Sequence, residues 1–157
     1  MIIKLFNGHV RTNEEIAVVE EKLGKRFPDS YRMFVAKHDG AVPELNEVAT
    51  EEVGFIIQVF NPIDQLTIED ISCEEDLGVF VAIALDGCGN KVLLDLQSGE
   101  VRFQDHELHD SKAVSWKSFE SFLAQIRPID LHSTPKSSIQ VVSTWIDPKF
   151  KDGLKGS

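Results

Sequence analysis

The densest group of potential metal ligands lies at Asp105-His106-Glu107-Leu108-His109-Asp110. Two imidazoles three residues apart and flanked by carboxylates could bind zinc if the segment were helical. No cysteine or third histidine accompanies them, and the segment follows a predicted strand as polar, loop-like sequence. A solvated loop accounts for these features. We therefore predict that the chain holds no metal and no cofactor.

A second segment, Asp86-Gly87-Cys88-Gly89-Asn90, has residue types found in calcium loops and phosphate-binding loops. A calcium loop requires a ligand at its third position and glycine at its sixth, where this chain has Cys88 and Lys91. A phosphate-binding loop opens a helix, whereas the residues after Asn90 are those of a strand. The segment therefore predicts a hairpin turn that uses the access of glycine to positive φ.

Motifs for nucleophilic or acid–base catalysis are not recognisable in the sequence. No serine stands in a GxSxG elbow, and only Lys91 lies close to Cys88 as an activating charge. Carboxylates are plentiful, but no spacing singles out one that a cleft would keep protonated. We predict no catalytic residue and no enzymatic activity, with an enzyme of unrecognised site as an alternative.

The acidity of the chain is concentrated in its central third. The 157 residues carry a formal net charge of −10, yet no lysine or arginine occurs from His38 to Asn90. That segment holds twelve of the 26 acids, which leaves 14 acids against 16 lysines and arginines elsewhere. Such a segment repels nucleic acids and anionic membranes, and it attracts a basic protein if its charges share one face. An acidic surface that only keeps the protein soluble is the alternative.

Two helices are predicted near the N-terminus. Thr12 and Glu15 form a capping box, an apolar stripe follows, and Gly24 is a suitable helix end. Pro28 suits the start of a second helix, which Asp39-Gly40 ends. The apolar faces of this helix pair need a cover, which strands further along the chain can supply.

The predicted strands follow the helix pair. Residues 53–60 have the composition of a strand, and residues 79–85 are apolar throughout, as expected of a central strand with two buried faces. Glycine-containing turns connect the latter to residues 91–96 and then 101–103. This spacing predicts an antiparallel meander.

A last helix is predicted from Ser115, its N-cap, to Pro128, which would end it. Its apolar positions at helical spacing are Trp116, Phe119, Leu123 and Ile126. Beyond Pro128 the pattern weakens, and residues 139–142 are predicted as an edge strand.

The chain fits one cytoplasmic domain. Its length suits a single core, its N-terminus lacks the features of a secretory signal, and no apolar run reaches the roughly 18 residues of a membrane span. Cys73 and Cys88 lack a CxxC spacing and indicate reduced thiols, with a disulfide bridge between them as the alternative. We predict a single domain over residues 1–157, with a core at about 12–127 and a weakly specified extension at 128–157.

The order of these elements resembles the SUKH superfamily, which includes a fungal cell-wall synthesis regulator and many bacterial immunity proteins. The matching residues of the helix pair are Ile16-x-x-x-Glu20-x-x-Leu23-Gly24, Phe27-Pro28-x-x-Tyr31-x-x-Phe34 and His38-Asp39-Gly40. Further matches are Phe80-Val81-Ala82-x-x-x-Asp86-Gly87-x-Gly89-Asn90, Asp95, Gly99, Val101 and Ser118-Phe119-x-x-Phe122-Leu123. Phe27 and Ala41 depart from the pattern, which usually has leucine and glycine there.

The resemblance implies an α+β fold in which a curled, mainly antiparallel β-sheet packs against an N-terminal helix pair and a C-terminal helix. It also implies a non-catalytic protein-binding function: neutralising a cognate toxin as an immunity protein, or serving as a regulatory scaffold without a toxin. If the toxin is a basic nuclease, we expect the acidic third to occupy its phosphate-binding groove. The predicted contact residues are Glu44, Glu47, Glu51, Glu52, Glu69, Asp70, Glu74, Glu75 and Asp76. The oligomeric state stays open.

Overall fold

The computed structural model describes residues 4–69, 78–107 and 114–129, and it has the predicted α+β class. The helices in these ranges are α1 (Asn13–Leu23), α2 (Asp29–His38) and α3 (Phe119–Leu123). The strands are β1 (Leu5–Phe6), β2 (Val42–Pro43), β3 (Asn46–Ala49), β4 (Gly54–Phe55), β5 (Ile57–Phe60), β6 (Ile68–Glu69), β7 (Phe80–Asp86), β8 (Lys91–Asp95), β9 (Val101–Gln104), β10 (Ser115–Trp116) and β11 (Ile126–Pro128). Every pair among them is antiparallel. Cys73 and the predicted strand at residues 139–142 lie outside the described residues.

The N-terminal helix pair forms as predicted. The Thr12 hydroxyl accepts the Glu15 N–H, and the Thr12 N–H donates to the Glu15 carboxylate at 2.8 Å, which completes the capping box. Gly24 ends α1 with a φ of 67°, a conformation that costs glycine little. Glu20 ties the two helices together, because its carboxylate accepts the Phe27 N–H at 2.9 Å and pairs with Arg32 on α2.

The predicted meander forms the largest sheet. Its strand order is β10-β9-β8-β7, and β5 and β6 pair with opposite ends of the remaining edge of β7. Both faces of β7 are buried: Val81 and Ile83 belong to the main core, whereas Phe80 and Ala82 join Leu93 in a smaller cluster. The continuous apolar sequence of this strand indicated such burial.

Two smaller sheets complete the described fold. β1 pairs with β2, and β3 lies between β11 and β4. Only Glu44 and Leu45 separate β2 from β3, and the chain bends at these two residues as it passes from one small sheet to the other. Pro43 on β2 and Val48 on β3 are buried. β1, β2 and β3 have no counterpart among the predicted elements.

The single strand predicted at residues 53–60 is wrong, because the structure has β4 and β5 there, in different sheets. The break falls at Ile56. The side-chain amide of Asn46 donates to the Ile57 carbonyl at 3.0 Å and accepts the Ile57 N–H at 3.2 Å. Because this side chain takes the place of a backbone partner on β3, the chain can leave that strand and join β7.

The helix predicted from Ser115 to Pro128 is wrong at both ends. Ser115 and Trp116 form β10, which pairs with β9, and Ile126 lies in β11, which pairs with β3. The N-cap of α3 is Ser118, whose hydroxyl accepts the Ser121 N–H at 3.2 Å. Trp116 and Ile126 are buried, as their apolar character indicated, but from strands rather than from a helix.

A buried carboxylate joins three separate parts of the fold, and we call this contact the Arg11–Asp39 junction. Asp39, directly after α2, is fully buried and accepts the Ile63 N–H at 2.8 Å. Its other oxygen accepts the Arg11 Nε–H at 2.6 Å, and the same guanidinium donates to Asp64 at 3.1 Å. The start of α1 and the 3₁₀ turn Ile63–Gln65 are thereby held to the end of α2.

We expect Asp39→Asn to lower the free energy of unfolding by about 2–4 kcal/mol, because it removes the charge that Arg11 faces in a buried site. Asp64→Asn removes a carboxylate from the same guanidinium, but at a position with 58% side-chain exposure. Its expected cost is below about 1 kcal/mol. Urea unfolding followed by tryptophan fluorescence measures both variants, and equal losses would contradict the role assigned to burial.

The Tyr31 hydroxyl is buried without a hydrogen-bond partner among the described residues. Burial and the charge of Asp39 raise the pKa of Tyr31. Phenylalanine would retain the edge-to-face contacts that the Tyr31 ring makes with Phe27 and Phe119. We expect Tyr31→Phe to raise the free energy of unfolding by about 1 kcal/mol, because an unsatisfied buried hydroxyl is costly. A loss of stability in the same urea experiment would show that the hydroxyl has a partner.

Candidate functional site

Two acids of the central third are structural. Besides Asp39, Asp86 is buried at the glycine turn, where one carboxylate oxygen accepts the Cys88 and Asn90 N–H groups at 2.8 Å each. Its other oxygen accepts the Asn90 side-chain amide at 2.8 Å, and Gly89 has a φ of 94°. The predicted hairpin turn is confirmed, with Cys88 as an exposed free thiol.

Asp95 has the same role at the next turn of the meander. Burial alone would raise its pKa, but hydrogen bonds from Ser98, Gln97 and Val79 outweigh that effect and hold the pKa of Asp95 below its ordinary value. The distances are 2.6 Å from the Ser98 hydroxyl and 2.9 Å from the Gln97 N–H. Asp95 therefore stays ionised for a structural reason.

Two of the predicted contact residues are engaged in ion pairs within the chain. Glu69 on β6 lies 2.6 Å from the Lys91 ammonium and is only 22% exposed. Glu44, after β2, lies 3.5 Å from the Lys4 ammonium and is 47% exposed. The ion pair of Glu69 therefore stabilises the central sheet, whereas Glu44 remains accessible to a partner.

Three other predicted contact residues lie together on one hairpin, the β3–β4 hairpin. Glu47 is on β3, and Glu51 and Glu52 form the tip, all three with exposed side chains. Within residues 4–69, 78–107 and 114–129, none of them has an ion-pair partner. We call these three glutamates the acidic hairpin.

Thr50 holds the tip of the acidic hairpin in place. Its N–H donates to the Val53 carbonyl at 2.8 Å, and its hydroxyl oxygen accepts the Val53 N–H at 3.0 Å and the Glu52 N–H at 3.2 Å. The backbone on either side of Glu51 is therefore fixed, although both glutamate side chains point into solvent. Asp70, Glu74, Glu75 and Asp76 lie outside the described residues.

The histidine-containing segment is only partly described, because His109 and Asp110 fall outside the described residues. The His106 N–H donates to the Asn90 side-chain oxygen at 3.1 Å, and the ring Nδ1 lies 2.7 Å from the same oxygen. These contacts attach the segment to the glycine turn. In the described part of the chain, no three histidine, cysteine, aspartate or glutamate side chains lie close enough together to bind a metal ion.

Sequence patterns did not reveal the exposed apolar residues next to the acidic hairpin. Phe6 on β1, Val42 on β2 and Leu45 before β3 are between 36% and 58% exposed. The alternation of exposed Val42, buried Pro43 and exposed Glu44 is the signal that could have identified an outward-facing strand. Proline in the middle of this short run obscured it.

Comparison with known proteins identifies the family. The model of the SMI1 / KNR4 family (SUKH-1) matches residues 11–125, so the chain belongs to this family and the predicted resemblance is confirmed. A relative from Bacillus subtilis (strain 168), described as "SPbeta prophage-derived uncharacterized protein YokK", is 23% identical over 143 residues, covering 73% of each chain. None of the helices described here is long and apolar enough to cross a membrane.

The exposed glutamates at the hairpin tip and the ion-paired Glu69 are expected to differ in what they contribute to the free energy of unfolding. We expect Glu51→Lys combined with Glu52→Lys to change the free energy of unfolding by less than about 0.5 kcal/mol, because both side chains are exposed. Glu69→Lys is expected to cost about 1 kcal/mol or more, because it removes an ion pair and places a second cation beside Lys91. Urea titration of the purified variants tests this, and a large loss in the tip variant would show that the acidic hairpin is structural.

Proposed function

We propose that the chain is a non-catalytic, immunity-type protein that binds a toxin and neutralises it. Membership of the SMI1 / KNR4 family (SUKH-1) supports this proposal. In the described part of the chain, Asp39, Asp86 and Asp95 are buried and hold turns or junctions, and Glu69 forms an ion pair within the central sheet. Among the described residues, no such structural contact accounts for the three glutamates of the acidic hairpin.

The observation that carries the proposal is the exposure of Glu47, Glu51 and Glu52 on an ordered hairpin. Carboxylates in this position speed association with a basic protein, because the long-range attraction acts before contact. Toxins that cleave nucleic acids need lysines and arginines to hold phosphates. A nuclease is therefore the toxin class that this surface fits, with the glutamates in its phosphate-binding groove.

The proposal is tested by affinity capture from extract of the producing cells, followed by association kinetics with the captured protein. We expect Glu51→Lys with Glu52→Lys to slow association at low salt by at least about tenfold, and added salt to remove most of the difference. Glu21→Lys with Glu107→Lys is the matched control. It changes the total charge equally, at exposed positions on α1 and after β9, and should alter the rate by less than about threefold.

Three outcomes would contradict the proposal. Equal slowing in both double variants would assign the effect to net charge alone. A captured protein that does not arrest growth when produced without this chain would favour the regulatory scaffold. Failure to capture any protein at low salt would remove the binding function itself.

A further inference from the structure

The solvent face of the β1–β2 strand pair exposes apolar side chains. Phe6 and Val42 are cross-strand partners with side chains that are 49% and 36% exposed, and Leu45 is 58% exposed. Single exposed apolar residues are ordinary on protein surfaces, whereas neighbouring ones mark contact sites. We call Phe6, Val42 and Leu45 the apolar strip.

The core does not account for the apolar strip. Side chains alternate between the two faces of a strand, so Leu5 and Pro43 take the inner face when Phe6 and Val42 take the outer one. Pro43 is buried, and Leu5 packs against the main core. The outer positions could therefore be polar without loss of core packing.

The apolar strip continues into the acidic hairpin. β2 leads into β3 through a bend at Glu44 and Leu45, and Glu47 and Ala49 are exposed on the face of β3 opposite buried Val48. At about 3.3 Å per residue, a fully extended chain would span roughly 25 Å from Val42 to Thr50, and the bend brings the two ends closer than that. A standard interface of about 800 Å² per partner has a diameter on the order of 30 Å. One partner of ordinary size can therefore cover both features.

Charge changes along this surface. At the apolar end, Lys4 and Glu44 form an ion pair at 3.5 Å and neutralise each other. At the hairpin end, Arg127 lies opposite Glu47 in the strand register and offsets its charge. Glu51 and Glu52 add two further negative charges, so this end carries a net negative charge. The surface thus has an apolar, nearly neutral end and an acidic end.

We propose that this surface binds one partner protein, with an apolar patch of the partner against the apolar strip and its lysines or arginines against Glu51 and Glu52. This inference rests on the proposed function and gives the bound toxin a fixed orientation. The acidic end accelerates association, and the apolar end slows dissociation because its contacts exclude water.

A second copy of this chain does not fit the same surface. A two-fold contact would place the acidic end of each copy either on the apolar end or on the acidic end of the other, according to the direction of the axis. In either arrangement Glu51 and Glu52 would lose water without gaining a cation, which is unfavourable. A partner of opposite charge avoids that cost.

Photo-crosslinking tests the orientation in extract of the producing cells. The crosslinking residue p-benzoylphenylalanine replaces Phe6, Glu51 or, as control, Met33, which is 66% exposed on α2. We expect the probes at Phe6 and Glu51 to crosslink the same protein and the probe at Met33 to leave it unmodified. Peptide mapping should place the Phe6 adduct in an apolar segment of that protein and the Glu51 adduct in a segment with lysine or arginine.

Each other result has a definite meaning. Adducts from the Glu51 probe alone would overturn the inference and leave the proposed function standing. An adduct only from the Met33 probe would place the partner on the helices and overturn the inference. A Phe6 adduct with the mass of two copies of this chain would show self-association instead. No adduct from any probe would overturn both the inference and the proposed function.

Dissociation kinetics with the crosslinked protein, purified separately, provide the second measurement. We expect Phe6→Ser with Val42→Ser to accelerate dissociation at least about tenfold and to leave the salt dependence of association unchanged. Val18→Ser with Met33→Ser removes apolar side chains that are each 66% exposed on the helices and should change dissociation by less than about twofold. Equal dissociation rates for the two folded double variants, checked by circular dichroism, would contradict the inference.

Discussion

The ion pair between Arg11 and Asp39 positions much of the described structure. Asp39 is fully buried, and its carboxylate holds both Arg11, next to the N-cap of α1, and the 3₁₀ turn after β5. Its backbone also pairs with His9, through an N–H and a carbonyl at 3.1 and 2.8 Å. Gly8, between β1 and His9, also lies against the end of α2: a Cβ added to Gly8 would be 3.1 Å from atoms of both His38 and Ala41. β1 therefore runs close to the chain that leaves α2. A buried charge that is satisfied on every side thus places the β1–β2 strand pair beside the helices.

Acidic residues have two distinct roles in this chain. Asp39, Asp86 and Asp95 are buried and accept backbone or side-chain hydrogen bonds, so they fix turns and junctions. Glu51 and Glu52 are exposed at a tip whose backbone is fixed by Thr50. The net charge of the central third therefore overstates the charge that a partner meets. The exposed charges of Glu51 and Glu52 stand on a fixed backbone, and a fixed backbone loses less entropy on binding.

Local signals account for the parts of the fold that could be predicted. The capping box at Thr12 and the glycine turn at Asp86 depend on residues within four positions of each other, and both formed as expected. The strands β1 and β2 are two residues long and pair with each other across the whole helix pair, so no local period marks them. β3 is also short, and one of its two partners, β11, lies far away in sequence. Ser115 and Ser118 are both suitable caps by type. Pairing of Trp116 with Val101 on β9 decides between them, and this contact has no local signature.

The candidate site likewise combines features that the sequence indicates with features that depend on contacts between distant parts of the chain. The composition identified the acidic third, but it did not show which of its glutamates are available to a partner. Glu69 forms an ion pair with Lys91, whereas Glu51 faces solvent. The apolar strip depends on which side of a two-residue strand faces the core. That choice follows from the pairing of Phe6 with Val42, and therefore from the whole fold.

Amide hydrogen exchange of the chain, free and in complex with the captured partner, tests the central claim most directly. The claim is that binding uses the outer surface of residues 42–56 and leaves the helices free. The predicted result is slower exchange in the complex at the backbone amides of residues 44–56 and of Phe6, with unchanged exchange along α1. Protection along α1 and α2 without any at residues 42–56 would contradict it.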